Sequence, residues 1–124
     1  MKNKPTKSES SEQTLLVARV RNFHPELVFM SIPNGGKRDI RVAAQMKREG
    51  VLAGAPDLFL AEPRENKHGL FIEMKKIGGR TSSNQNEVID KLRAKGYEVF
   101  FARELMRPTA CCWPMSMVIS LLSG

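Results

Sequence analysis

Two short apolar runs, DLFLA at 57–61 and GLFIEMKK at 69–76, are separated by the polar segment EPRENKH. Runs of this length, rich in Leu, Phe and Ile and bounded by Pro, Asn and charged residues, predict two strands closed into a hairpin. A hairpin admits one register, and the register decides which side chains meet. With the turn centred near Glu65, Asp57 lies opposite Glu73. Their Cβ atoms would be roughly 5 Å apart. Side chains alternate along a strand, so Glu73 and Lys75 share one face while Ile72 and Met74 take the other.

Two carboxylates held opposite one another repel unless a cation sits between them. Asp57, Glu73 and Lys75 on one face therefore read as a divalent metal site. Hard oxygen ligands suit Mg²⁺ or Mn²⁺, and Mg²⁺ keeps several waters, one of them available as a nucleophile. Lys75 would stabilise the charge that develops on a phosphodiester or orient that water. Each residue alone also has a plainer explanation. Glu-x-Lys on a strand is commonly a surface ion pair worth under ~1 kcal/mol. Asp after Pro at a strand start is commonly a turn acceptor. The metal reading rests on the conjunction, and a register shifted by two residues would weaken it.

The remaining chain divides at clear punctuation. Residues 1–7 are polar and expected to be disordered, and Ser8 or Ser10 would cap a helix running to about Asn22 with Leu15, Leu16, Ala18 and Val20 as its apolar side. LVFMSI at 27–32 predicts a buried strand, PNGGKRD at 33–39 a turn, and IRVAAQMKRE a helix that Gly50 ends in a left-handed conformation. After the connection VLAGAP and the hairpin, GGRTSSNQNEVIDKLRAKG supplies a loop, a Ser cap and a helix with Val88, Ile89 and Leu92 inward, ended by Gly96. YEVFFA predicts a further strand. The order αβαββαβ implies an α/β fold with a central mixed sheet flanked by helices.

At 124 residues the chain has room for one domain and one modest core. Its 20 Lys and Arg against 13 Asp and Glu give a net charge of +7, which suits a polyanionic partner such as DNA. The N-terminal MKNKPTKSESSE lacks the apolar run of a signal peptide, and no stretch reaches the roughly 20 apolar residues of a membrane span. A cytoplasmic protein of a bacterial or phage-infected cell, without a membrane partner, is expected. Cys111 and Cys112 are adjacent, which fits neither a disulfide framework nor a zinc site. His24 and His68 stand alone and read as loop residues, and Tyr97 and Trp113 form no stacking platform with the other aromatics.

PD at 56–57 followed by EMK at 73–75 matches the PD-(D/E)xK pattern of the restriction-endonuclease-like nucleases. IPNGGKR (32–38), MKREG (46–50), GAPDLFL (54–60), GLFIEMKK (69–76), a Gly-rich loop, Gln85 and L-x-x-x-GYEV (92–99) follow in the order of the VRR-NUC (virus-type replication-repair nuclease) domain. The chain resembles that domain over roughly residues 8–102. The resemblance implies a restriction-endonuclease-like core and a Mg²⁺- or Mn²⁺-dependent, structure-specific DNA endonuclease. Branched DNA such as Holliday junctions would be its substrate, and a homodimer its assembly.

The same resemblance implies a set of site residues. Asp57 and Glu73 would be metal-binding carboxylates, with the Met74 carbonyl completing the inner sphere and Lys75 as the catalytic lysine. Glu9 and Gln13, one turn apart on the first helix, would point together toward the metal; Glu12 is the alternative carboxylate, otherwise a solvated first-turn residue. Gln85 matches the family's active-site glutamine. Asn34, Gly35 and Gly36 match its turn, where glycine lets backbone approach a phosphate, and Lys37, Arg38, Lys76 and Arg80 add positive charge for DNA. A plain turn explains the glycines as well, and a basic DNA-binding module with an inactive nuclease face is the alternative function. Residues 103–124 depart from the family: ELMRPTACCWPMSMVISLLSG is Pro-broken and rich in Met and Cys, where an amphipathic helix is expected. A change of reading frame near Arg103 would produce such a segment, and poor packing would follow.

Overall fold

The computed structural model describes residues 9–33, 39–64, 66–75 and 79–102, with side chains from residue 12 onward. The elements in chain order are α1 (Glu9–Phe23), β1 (Phe29–Ser31), α2 (Ile40–Arg48), β2 (Leu58–Leu60), β3 (Leu70–Glu73), α3 (Ser83–Ala94) and β4 (Glu98–Phe101). The expected order and the mixed sheet are both present. Strands lie in the order β1-β2-β3-β4, with the first two pairings antiparallel and β3–β4 parallel. Parallel β3 and β4 need a crossover, and α3 is that crossover.

The β2–β3 register pairs Leu58 with Ile72, Phe59 with Phe71 and Leu60 with Leu70, as a turn centred near Glu65 requires. Arg64 and Lys67 close the turn by exchanging main-chain hydrogen bonds of 3.1 and 2.7 Å, with Asn66 at φ 65°. Three residues then separate Arg64 from β2, and two separate Lys67 from β3. The hairpin absorbs this one-residue mismatch next to its turn and keeps the strand register intact.

Leu58, Leu60, Leu70, Ile72 and Phe100 point to one face of the sheet, where with Met74 they pack against Leu16 and Val20 of α1. The buried side of α1 is Leu16, Val17 and Val20, whereas Leu15 is 46% exposed and Ala18 is also exposed. Spacings of three and four residues bring 16, 17 and 20 to one side of a helix and turn 15 and 18 away. The sequence expectation for this helix face is corrected accordingly. On the other face the buried residues Val99 and Ile89 lie between β4 and α3.

Both helix ends with Gly form as expected. Gly50 and Gly96 take φ of 109° and 91°, and the Val51 and Tyr97 amides return to the Met46 and Leu92 carbonyls. Tyr97, by contrast, does not stand apart. Its ring meets Phe59, Phe71 and His68 edge-on at centroid distances of 6.2, 5.4 and 5.7 Å, and Phe59 stacks on Phe71 at 4.5 Å. The hairpin register makes Phe59 and Phe71 direct neighbours, and the parallel crossover returns Tyr97 beside them. No helix among the described residues is long and apolar enough to cross a membrane.

Candidate active site

Asp57 follows the fully buried Pro56 and directly precedes β2. Its carbonyl accepts the Ile32 amide at 2.8 Å, extending the β1–β2 ladder, and its carboxylate Oδ2 accepts the Met74 amide at 2.8 Å. Glu73 ends β3 and is only 4% exposed. Leu58, Ile72 and Met74 face α1, so alternation turns Asp57 and Glu73 to the opposite face, where the first turn of α3 lies. Glu73 Oε1 accepts the Gln85 amide Nε2 at 2.9 Å and lies 4.0 Å from the Lys75 ammonium. Glu73 Oε2 is buried and accepts no hydrogen bond among the described residues. The structure thus brings Asp57, Glu73, Lys75 and Gln85 to one end of the β2–β3 pair.

Gln85 reaches Glu73 because α3 begins where it does. Ser82 caps the helix: its Oγ accepts the Gln85 amide at 3.2 Å, and its own N–H donates to Gln85 Oε1 at 2.9 Å, forming a reciprocal capping box. Gly54, at φ 86°, lets the connection before β2 lie against this turn, since a Cβ there would come within 2.6 Å of the Asn84 main chain and 2.9 Å of the Gln85 nitrogen. The Asp57 and Gln85 segments are therefore fitted to each other through Gly54. Sequence reading recovered the Ser cap but not its use. The Ser-x-x-Gln spacing was the available signal for the capping box, whereas nothing local marks Gly54 as a contact to residue 84.

The other expected site residues are described only in part. Gln13 is half-buried and shares the side of α1 that carries Leu16 and Val20; Glu12 is exposed. Glu9 is the first residue of α1, and its side chain lies outside the described residues, as do Asn34, Gly35, Gly36, Lys37, Arg38, Lys76 and residues 103–124. Arg80 is exposed just before the cap of α3. His24 lies 3.6 Å from Glu26, and His68 lies against Tyr97, so neither joins the carboxylates. A shallow concavity lined by Pro63, Arg64, Asn66, Lys67 and His68 occupies the other end of the hairpin.

Among the described residues no group of three or more His, Cys, Asp or Glu gathers. The donors at the site are two carboxylates and, in the same backbone segment, the Met74 carbonyl. An all-oxygen set fits a hard cation such as Mg²⁺ or Mn²⁺ and not one that prefers thiolate or imidazole. Glu9 is the sequence candidate for a further ligand.

A mixed α/β sheet with two carboxylates and a lysine at adjoining strand ends has the makings of a phosphodiester-cleaving domain. The VRR-NUC domain family matches residues 7–104, most of the chain, and the protein belongs to that family of nuclease domains. A solved structure described as a VRR_NUC domain protein superposes with a TM-score of 0.60 at 26% identity, covering 81% of this chain and 80% of its own. No curated protein matches the chain.

Proposed function

We propose that the protein is a metal-dependent, structure-specific DNA endonuclease that hydrolyses phosphodiester bonds on branched DNA such as four-way junctions and acts as a homodimer. The observation that carries this reading is the juxtaposition of Asp57, Glu73 and Lys75, in a chain of the VRR-NUC family. Asp57 and Glu73 would hold a divalent cation, joined by the Met74 carbonyl and the Glu9 carboxylate. Such a cation supplies Lewis-acid polarisation of the phosphodiester when bound. Lys75 sets a positive charge beside the scissile phosphate, where negative charge grows as water oxygen bonds to phosphorus and one ester P–O bond breaks. Gln85 holds Glu73 in place by donating to Oε1.

DNA would be held by sequence-independent charge. The net charge of +7 supports this, and Arg80, Lys76, Lys37 and Arg38, with the Asn34-Gly35-Gly36 turn, are the proposed backbone contacts. A homodimer suits a branched substrate because cutting two strands needs two sites, and a two-fold axis supplies them symmetrically.

The test is incubation with labelled four-way junction, flap, linear duplex and single-stranded DNA, with Mg²⁺, Mn²⁺ or EDTA, beside Lys75→Ala. Metal-dependent cutting lost in the variant is expected, with paired symmetric nicks on the junction. Retained binding without cutting under either metal would instead support an inactive DNA-binding module.

A further inference from the structure

The Gln85 carboxamide has two chemically different ends, and both are engaged. Oε1 accepts the Ser82 main-chain N–H at 2.9 Å, and Nε2 donates to Glu73 Oε1 at 2.9 Å. An amide oxygen cannot donate and an amide nitrogen cannot accept. Turned over, the group would set oxygen against the Glu73 carboxylate and N–H against N–H, replacing two hydrogen bonds by two repulsions. The Ser82 N–H therefore selects the orientation in which a donor faces Glu73.

We propose that Ser82 is a positioning residue of the active site: its main-chain N–H, acting through Gln85, fixes the rotation of the buried Glu73 carboxylate. The inference rests on the proposed nuclease reading for its effect on catalysis, but not for the orientation itself. Capping α3 and aligning Glu73 are one device. The cap is further braced by Thr81 Oγ1 donating to Asn86 Oδ1 at 2.5 Å and by the Asn86 amide returning to the Ser82 carbonyl at 3.0 Å. Ser82 and its immediate bonds are exposed, whereas Glu73 is buried, so the orientation is set at the surface and used in a site where little water competes.

The N–H can be separated from the hydroxyl. Ser82→Ala keeps the N–H and loses the Oγ cap. Ser82→Pro loses both, and the Ser82 φ of −78° suits the proline ring. Gln85→Glu keeps an oxygen for the Ser82 N–H and remains a good capping-box residue, but it offers Glu73 no amide donor. Three properties are measured: melting temperature, hydrogen exchange of the Gln85 side-chain NH₂ in ¹⁵N–¹H spectra without metal or DNA, and kcat and KM on the best DNA substrate.

Ser82→Ala should melt a few degrees lower, keep the protected Gln85 NH₂, and hold kcat within about threefold of the parent. Ser82→Pro should exchange the Gln85 NH₂ at least about tenfold faster and lose about tenfold in kcat relative to Ser82→Ala, with KM little changed. Gln85→Glu sets a second carboxylate against the buried Glu73, so it should melt lower than the parent and lose kcat as Ser82→Pro does. Equal exchange and equal kcat in Ser82→Ala and Ser82→Pro would overturn the proposal, as would a fully active Gln85→Glu. If Ser82→Pro does not fold, exchange of the Gln85 NH₂ in the parent and Ser82→Ala decides: exchange at the rate of a free carboxamide would overturn the proposal. If the parent cuts no DNA, the nuclease reading falls, and the exchange comparison of Ser82→Ala with Ser82→Pro still decides whether Ser82 orients Gln85.

Discussion

Asp57 and Met74 are 17 residues apart in the chain, and the Asp57 carboxylate accepts the Met74 amide at 2.8 Å across the open end of the hairpin. A side chain here does what the next rung of the β2–β3 ladder would have done. The bond ties the carboxylate to the residue that follows Glu73. A carboxylate has about four lone-pair directions, so one N–H leaves acceptor capacity for a cation. Asp57 thus serves the fold and the proposed chemistry with different parts of one group.

Asp57→Asn separates these two roles. The asparagine oxygen still accepts the Met74 amide, so the variant should fold and melt at or slightly above the parent temperature, since one of two facing charges is gone. Its cleavage rate should fall by at least about 100-fold, the loss expected when a charged ligand becomes neutral. Thermal melts alongside cleavage assays check both halves, and an active Asp57→Asn would remove this residue from the proposed metal site.

Lys75 lies 4.0 Å from Glu73 Oε1 with a side chain only 15% exposed, so its charge is partly shielded from solvent. Lys75→Met preserves the stem without the charge. The rate should drop about 10²–10³-fold. Affinity for DNA, read by a mobility shift in EDTA, should change less than about threefold, because one phosphate contact among many is lost. Equal losses of affinity and rate would make Lys75 a binding residue instead.

Gly54→Ala tests how tightly the Asp57 segment is fitted to α3. The new Cβ would meet the Asn84 carbonyl group at 2.6 Å, and the φ of 86° disfavours any side chain. Neither contact can be relieved by rotating a side chain. A loss of about 1–3 kcal/mol is expected in chemical denaturation, together with loss of the Gln85–Glu73 hydrogen bond, visible as faster exchange of the Gln85 NH₂. Parent-like stability would mean that the two segments separate without cost.

Metal binding should be visible without any substrate. A ligand that binds only the folded state at 100 times its Kd adds about 2.7 kcal/mol to stability. Mg²⁺ or Mn²⁺ should therefore raise the melting temperature by several degrees, and EDTA should reverse the rise. Asp57→Asn and Glu73→Gln should abolish it. A rise that persists in both variants would place the cation elsewhere.

The element order, the hairpin register and the glycine-ended helices were legible in the sequence because each depends on local rules. A two-residue alternation names the faces of a strand, a turn centre sets which residues face each other, and a left-handed glycine stops a helix. Asp57 and Glu73 could be paired on paper for that reason. Tertiary structure decided which side of α1 is buried, how Tyr97 joins Phe59 and Phe71, and how Gly54 admits the first turn of α3. It also decided that Gln85, twelve residues beyond Glu73, returns to donate to it. Those contacts depend on where a crossover helix lands on a twisted sheet, which is settled by packing of the whole core and has no short-range period in the sequence.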